Sequence, residues 1–245
     1  MYTLTHEGDY ALRLAGPGRT LLVDPRRSPD PQELVVLLWG EFERVDATAR
    51  ATHTGLRPTV FALQPILFWL QGLGRVEGTI PPVQVDGWSV ELLAYTPIPY
   101  AAGLEVAWKG LSALRRPVRA AQRLMRRMEL PDCKPVIASV TLPDGRRLLH
   151  LNLALHRDTP AAWLEQAVKR FGHPDILVVG VDAGEEEAVT KNVPLFGAKQ
   201  VWVADLVGDV RRHLGLPRPH PERVVQSLGG SARLLPVNTP VDLDL

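Results

Sequence analysis

The sequence predicts an α/β (α+β) protein built as a four-layer αββα sandwich of two mixed β-sheets. Three observations carry this prediction. Short alternating segments are joined by Gly, Pro and Asp-Gly turns into hairpins in both halves of the chain. Residues 34–38 and 176–179 are unbroken apolar runs, as strands covered on both faces require. From Thr159 onward the pattern changes to alternating helix and strand, which supplies outer layers for a sheet.

Taken in order, residues 10–14 alternate apolar and polar and read as a half-buried strand. Gly16, Pro17 and Gly18 turn it into a second strand at 20–23, and Asp24 with Pro25 ends the hairpin. The strand at 34–38 precedes a helix from about Asp46 to Thr54, a strand at 59–61 and a short helix at 65–73. Segments 83–85 and 88–93 flank Asp86-Gly87, a pair suited to the positive φ of a tight hairpin turn. A strand is expected at 104–108. Segments 135–142 and 147–153 flank Pro143, Asp144 and Gly145 in a third hairpin. Thr159 is placed to cap a helix whose first residue is Pro160 and which Gly172 closes. A helix at 185–193, a strand at 200–203, a helix at 221–228 closed by Gly229 and Gly230, and a strand at 233–237 complete the chain.

With 245 residues, 45% hydrophobic and 22% charged, the chain can bury one sizeable core. The expectation is a single domain over residues 1–245 with an insertion at about 109–132. Lys and Arg number 28 against 27 Asp and Glu, so no global charge draws it to nucleic acid or acidic membranes. One cysteine, Cys133, excludes an internal disulfide framework. The opening residues lack the basic and apolar regions of a signal peptide, and no run is long enough to span a bilayer. A cytoplasmic location is expected.

Several stretches resemble one superfamily in order and spacing. They are THEGDYALRL at 5–14, RTLLVDP at 19–25, VELLAYTP at 90–97, DGRRLLHLNL at 144–153, FGHPDILVV at 171–179 and AKQVWVAD at 198–205. Together they resemble the metallo-β-lactamase superfamily, in particular its branch similar to ascorbate-phosphate lactonases, over roughly residues 3–241. The resemblance implies the αββα sandwich and a binuclear metal site with an H-x-H-x-D-H loop after the strand at 34–38.

The loop itself departs from that pattern. It carries Trp39, Glu41, Glu43 and Arg44 at the ligand positions. The next ligand position falls on Thr96, the bridging Asp on Leu153 with Asn152 before it, and the last His near Asp205. Trp offers only an N–H donor, Leu offers nothing, and Arg is a fixed cation. The expectation is therefore a vestigial pocket of Trp39, Glu41, Glu43, Arg44, Thr96, Asn152 and Asp205, without catalytic residues or metal. An ion pair of Glu41 or Glu43 with Arg44 would fill it. The alternative is a metal-dependent hydrolase of esterase, lactonase or phosphodiesterase type, with one divalent cation at Glu41, Glu43 and Asp205.

The seven histidines, His6, His53, His150, His156, His173, His213 and His220, show no ligand spacing; His150 precedes the old Asp position and could line the pocket. The acids from Asp182 to Glu187 suit a helix N-terminus. In the insertion, Leu111, Leu114, Val118, Ala121, Met125 and Met128 form one apolar helical stripe beside Arg116, Arg119, Arg123, Arg126 and Arg127. These arginines are the expected contact for an unknown protein partner or a small anionic ligand. A homodimer contact is a further reading, and no DNA-binding motif is present.

Overall fold

The computed structural model of the chain describes residues 1–39, 42–73, 77–79, 83–95 and 134–243. Among them, strands β1 (Thr3–His6), β2 (Leu12–Ala15), β3 (Thr20–Val23), β4 (Leu34–Val36), β5 (Thr59–Phe61) and β6 (Glu77–Thr79) belong to one sheet, with β14 (Val241–Asp242) at its far edge. The second sheet holds β7 (Val83–Val85), β8 (Trp88–Ala94), β9 (Val136–Thr141), β10 (Arg147–His150), β11 (Ile176–Gly180), β12 (Gln200–Ala204) and β13 (Ala232–Leu234). The two sheets have matching plans. From β14 through β1 and β2 to β3 the pairs are antiparallel, and from β3 through β4 and β5 to β6 parallel. From β7 through β8 and β9 to β10 they are antiparallel, and from β10 through β11 and β12 to β13 parallel.

The layers follow from side-chain alternation. Leu12 and Leu14 of β2, Leu21 and Val23 of β3, and Leu34 and Val36 of β4 meet Ala138 and Val140 of β9 and Ile176 and Val178 of β11 in the core between the sheets. The other face of the first sheet buries Val35 and Val60 under helices α1 (Phe42–His53) and α2 (Gln64–Leu73), through Val45, Ile66 and Leu70. The other face of the second sheet buries Leu177, Val179 and Val203 under α3 (Ala161–Phe171), α4 (Glu186–Asn192) and α6 (Pro221–Leu228), through Ala167, Val189 and Val224. This is the four-layer sandwich of two mixed sheets that the sequence predicts.

The hairpin turns form as expected, with Asp86 at φ 50° and Gly87 at φ 83°. Other details differ. The stretch 5–14 is two strands, because Gly8 and Asp9 take positive φ and reverse the chain between β1 and β2. Helix α1 starts at Phe42, before the expected Asp46. Thr159 does not cap α3; its hydroxyl donates to the Ala154 carbonyl at 2.8 Å, and extended Pro160 takes the cap position. Strands β6 and β14 and helix α5 (Gly208–Leu214) were not foreseen, since each is too short to show a period. The expected strand at 104–108 and the insertion at 109–132 lie outside the described residues. No helix among the described residues is long and apolar enough to cross a membrane.

Candidate functional site

Parallel strands of both sheets end on one edge. The Val136 N–H at the start of β9 donates to the Leu38 carbonyl beyond β4 at 2.8 Å, which ties the sheets together there. Crevices beyond the carboxyl ends of parallel strands are where open α/β sheets bind ligands. Asp24, directly after β3, turns into this edge at φ 43°, a conformation that a short polar residue tolerates better than most. Its own N–H donates to the Val36 carbonyl, and the Leu38 N–H donates to its Oδ1 at 2.8 Å. Arg44 Nη1, in the first turn of α1, donates to its Oδ2 at 2.7 Å.

The Asp24 and Arg44 side chains are 0% and 1% exposed. Burial pushes the Asp24 carboxyl up from its ordinary value, while the Arg44 charge and the Leu38 N–H pull the other way. The guanidinium carbon also lies 3.5 Å from the centre of the Tyr10 ring and 5.4 Å from that of Trp39, so aromatic faces complete its surroundings.

Two imidazoles share the edge. His6 ends β1 and is 0% exposed; His150 ends β10 and is 1% exposed. His6 Nε2 lies 2.7 Å from the Asp9 carbonyl, so that nitrogen carries the proton. His150 Nδ1 accepts the Asn152 N–H at 2.9 Å. The His150 imidazole is pushed down to about 3 by burial, helped by the charge of Arg44 and by His6, which keeps the ring neutral at ordinary pH. Asn152 takes φ 53°, which fits the glycine-like place before the missing bridging Asp.

The loops on the second sheet's side are wired by further acid–arginine pairs. Asp182 after β11 pairs with Arg211 of α5, and Glu185 pairs with Arg157 of the loop after β10 at 3.0 Å. These acids serve ion pairs between neighbouring loops; in the run from Asp182 to Glu187, only Glu186 and Glu187 lie in the first turn of a helix.

Of the residues expected in a vestigial pocket, the structure brings Trp39, Arg44 and Asn152 to one edge. Glu41 and Thr96 lie outside the described residues, as does the side chain of Glu43. The backbone at Glu43 already belongs to α1. Asp205 follows β12, but its Oδ1 lies 3.4 Å from the Val207 N–H and its carboxylate packs against Gly208, where α5 begins. Arg44 finds a counterion in Asp24, which the sequence reading had not assigned. Asp24, His6 and Tyr10 were all missed. The signal for the first was an acid ending an apolar strand, and for the second a histidine two residues after a core leucine.

Among the described residues, the donors at this edge do not fit the binuclear metal centre that the resemblance implies. Both Asp24 oxygens already accept hydrogen bonds, His150 presents Nε2–H rather than a lone pair, and a buried guanidinium occupies the neighbourhood. Among the described residues, no group of three or more His, Cys, Asp or Glu side chains is placed to hold a metal ion. The basic residues Arg116, Arg119, Arg123, Arg126 and Arg127 lie outside the described residues.

No protein-family profile matches the sequence, and no curated protein matches it. Solved structures do match. A metallo hydrolase of the hyperthermophilic archaeon Ignicoccus hospitalis superposes with TM-score 0.63 at 15% identity, covering 98% of this chain and 97% of that one. A possible metal-dependent hydrolase of Veillonella parvula gives 0.58 at 12% identity, with 98% and 99% covered. An isothiocyanate hydrolase from Delia radicum gut bacteria gives 0.54 at 10% identity, with 98% of both covered. The chain thus shares the fold of these structures, the four-layer sandwich that the resemblance to the metallo-β-lactamase superfamily implies, and likeness at this identity establishes the fold alone.

Proposed function

We propose that this metallo-β-lactamase-fold protein is a binding or interaction module that does not perform metal-assisted hydrolysis. The observation that supports this reading is the buried Asp24–Arg44 pair. An arginine stands at a ligand position of the metal loop, and its charge is already satisfied by a carboxylate at 2.7 Å. A divalent cation beside it would meet a fixed positive charge and a carboxylate whose two oxygens both accept hydrogen bonds. Among the described residues, Tyr10, Trp39, His6, His150 and Asn152 add aromatic and polar groups beside the pair, which suits recognition of a small molecule.

The names of the fold neighbours favour a second reading, a hydrolase with one cation at Glu41, Glu43 and Asp205. Asp205, its third carboxylate, follows β12, and its Oδ1 lies 3.4 Å from the Val207 N–H. Turnover of ester, lactone and phosphodiester substrates separates the two readings. The module reading expects no hydrolysis above buffer with Zn²⁺, Mn²⁺ or Mg²⁺ supplied. Hydrolysis that disappears in a Glu41→Gln, Glu43→Gln double variant overturns it.

A further inference from the structure

A buried polar group without a partner costs about 1–3 kcal/mol. Folded proteins avoid such groups, so each one asks for an explanation. Three of them gather at the edge just described. His6 Nδ1, His150 Nε2 and both side-chain atoms of Asn152 are buried with no hydrogen-bond partner. Their placement follows from the strands. His6 shares a face of β1 with Leu4, and His150 shares a face of β10 with Leu148, because side chains two apart on a strand point the same way. Leu4 and Leu148 both lie in the core between the sheets. The two imidazoles therefore extend facing rows of core side chains out to the edge of the sandwich. His6 acts electrostatically on His150, as does Arg44.

The proton positions define what each group offers. His6 Nε2–H is used on the Asp9 carbonyl, so Nδ1 is a bare acceptor. His150 Nδ1 is used by the Asn152 N–H, so Nε2–H is a bare donor. The Asn152 amide offers one acceptor and two donor hydrogens. The cluster thus offers both donors and acceptors. The charge of Arg44 is neutralised by Asp24 at 2.7 Å.

We propose that this edge binds a small neutral molecule carrying an amide group. Its carbonyl accepts from His150 Nε2–H, its N–H donates to His6 Nδ1, and the Asn152 amide pairs with whichever end remains. The proposal rests on the reading that the chain binds rather than hydrolyses, and it names the class of molecule bound. A carboxylate suits the site poorly, because one of its oxygens would face the His6 lone pair. A metal ion suits it no better, since His6 Nδ1 supplies one imidazole lone pair and His150 none.

Nuclear magnetic resonance of the imidazole nitrogens in the wild-type protein tests this without a variant that could fail to fold. Acetamide and sodium acetate are titrated separately at constant ionic strength. The expected result is Nε2–H on both rings, saturable shifts of His6 Nδ1 and His150 Nε2 with acetamide, and acetate binding at least about tenfold weaker. Saturation by acetate without acetamide overturns the proposal in favour of an anion site. Shifts with neither, alongside a slowly exchanging water at His150 Nε2–H, overturn it in favour of a hydrated structural cluster. Tightly bound metal in the same sample would instead defeat the binding reading itself, so the two failures are distinguishable.

Discussion

Arg44 Nη1 stands 2.7 Å from Asp24 Oδ2, twenty residues back in the chain, and both side chains are closed off from solvent. Removing one partner of such a pair strands a charge in the interior, whereas removing both strands none. Arg44→Leu or Asp24→Leu alone is expected to cost about 3–5 kcal/mol in urea unfolding. The double replacement is expected to cost far less than the sum. Additive losses would show that the two charges do not depend on each other.

His150 sets a pH dependence. Its folded value of about 3 lies below the ordinary 6.5, so between those limits the unfolded chain holds a proton that the folded chain does not. Stability therefore falls as pH drops through that window, by up to about 1.4 kcal/mol per pH unit for one proton. Asp24, pushed up by burial, contributes a slope of the opposite sign above its ordinary value of 3.8. His150→Asn keeps an acceptor for the Asn152 N–H and should flatten the acid side of the profile. Unfolding midpoints across pH check this, and an unchanged acid limb would contradict it.

Asn152 holds φ 53° with its amide unpartnered. Asn152→Gly relieves the left-handed backbone and deletes the unpaired amide, so it should be neutral or stabilising. Asn152→Ala should be about 1–2 kcal/mol less stable than the glycine variant, because Cβ is disfavoured in that conformation. Thermal melts of the two variants compare them directly.

Gly180 closes β11 at the same edge. A Cβ there would fall 2.5 Å from Leu206 Cδ1, 2.8 Å from the Asn152 carbonyl oxygen and 2.9 Å from Leu153 Cδ2. The backbone oxygen cannot move aside, since it accepts the Gly180 N–H at 2.8 Å. Gly180→Ala should therefore destabilise by about 1–3 kcal/mol through overpacking. It should also broaden the His150 signals, because Asn152 lies between the two.

The layers were legible because their signals are local. Asp86-Gly87, Pro143 to Gly145, the apolar runs of β4 and β11, and Gly172 each act within a few residues, and the structure repeats them. The plan of the second sheet was similarly readable from the change to alternating helix and strand after Thr159. Strand β14 escaped notice because its two residues, Val241 and Asp242, make sense only beside Thr3 and Leu4 at the other end of the chain. The site escaped in the same way. Arg44 was picked out as an anomaly in the metal loop, but its counterion comes from the turn after β3, and His6 and His150 end strands of different sheets. No spacing rule along the chain reports such pairs.

The measurement that bears most directly on the claim that an ion pair stands where the fold's metal centre would be is metal content by mass spectrometry. The protein is purified without chelator or affinity tag, soaked in Zn²⁺, Mn²⁺ or Mg²⁺ and desalted. The account predicts well under one retained ion per chain, with the Asp24–Arg44 pair intact. One or two ions held per chain, and lost on Asp24→Asn or on the Glu41→Gln, Glu43→Gln double replacement, would contradict it.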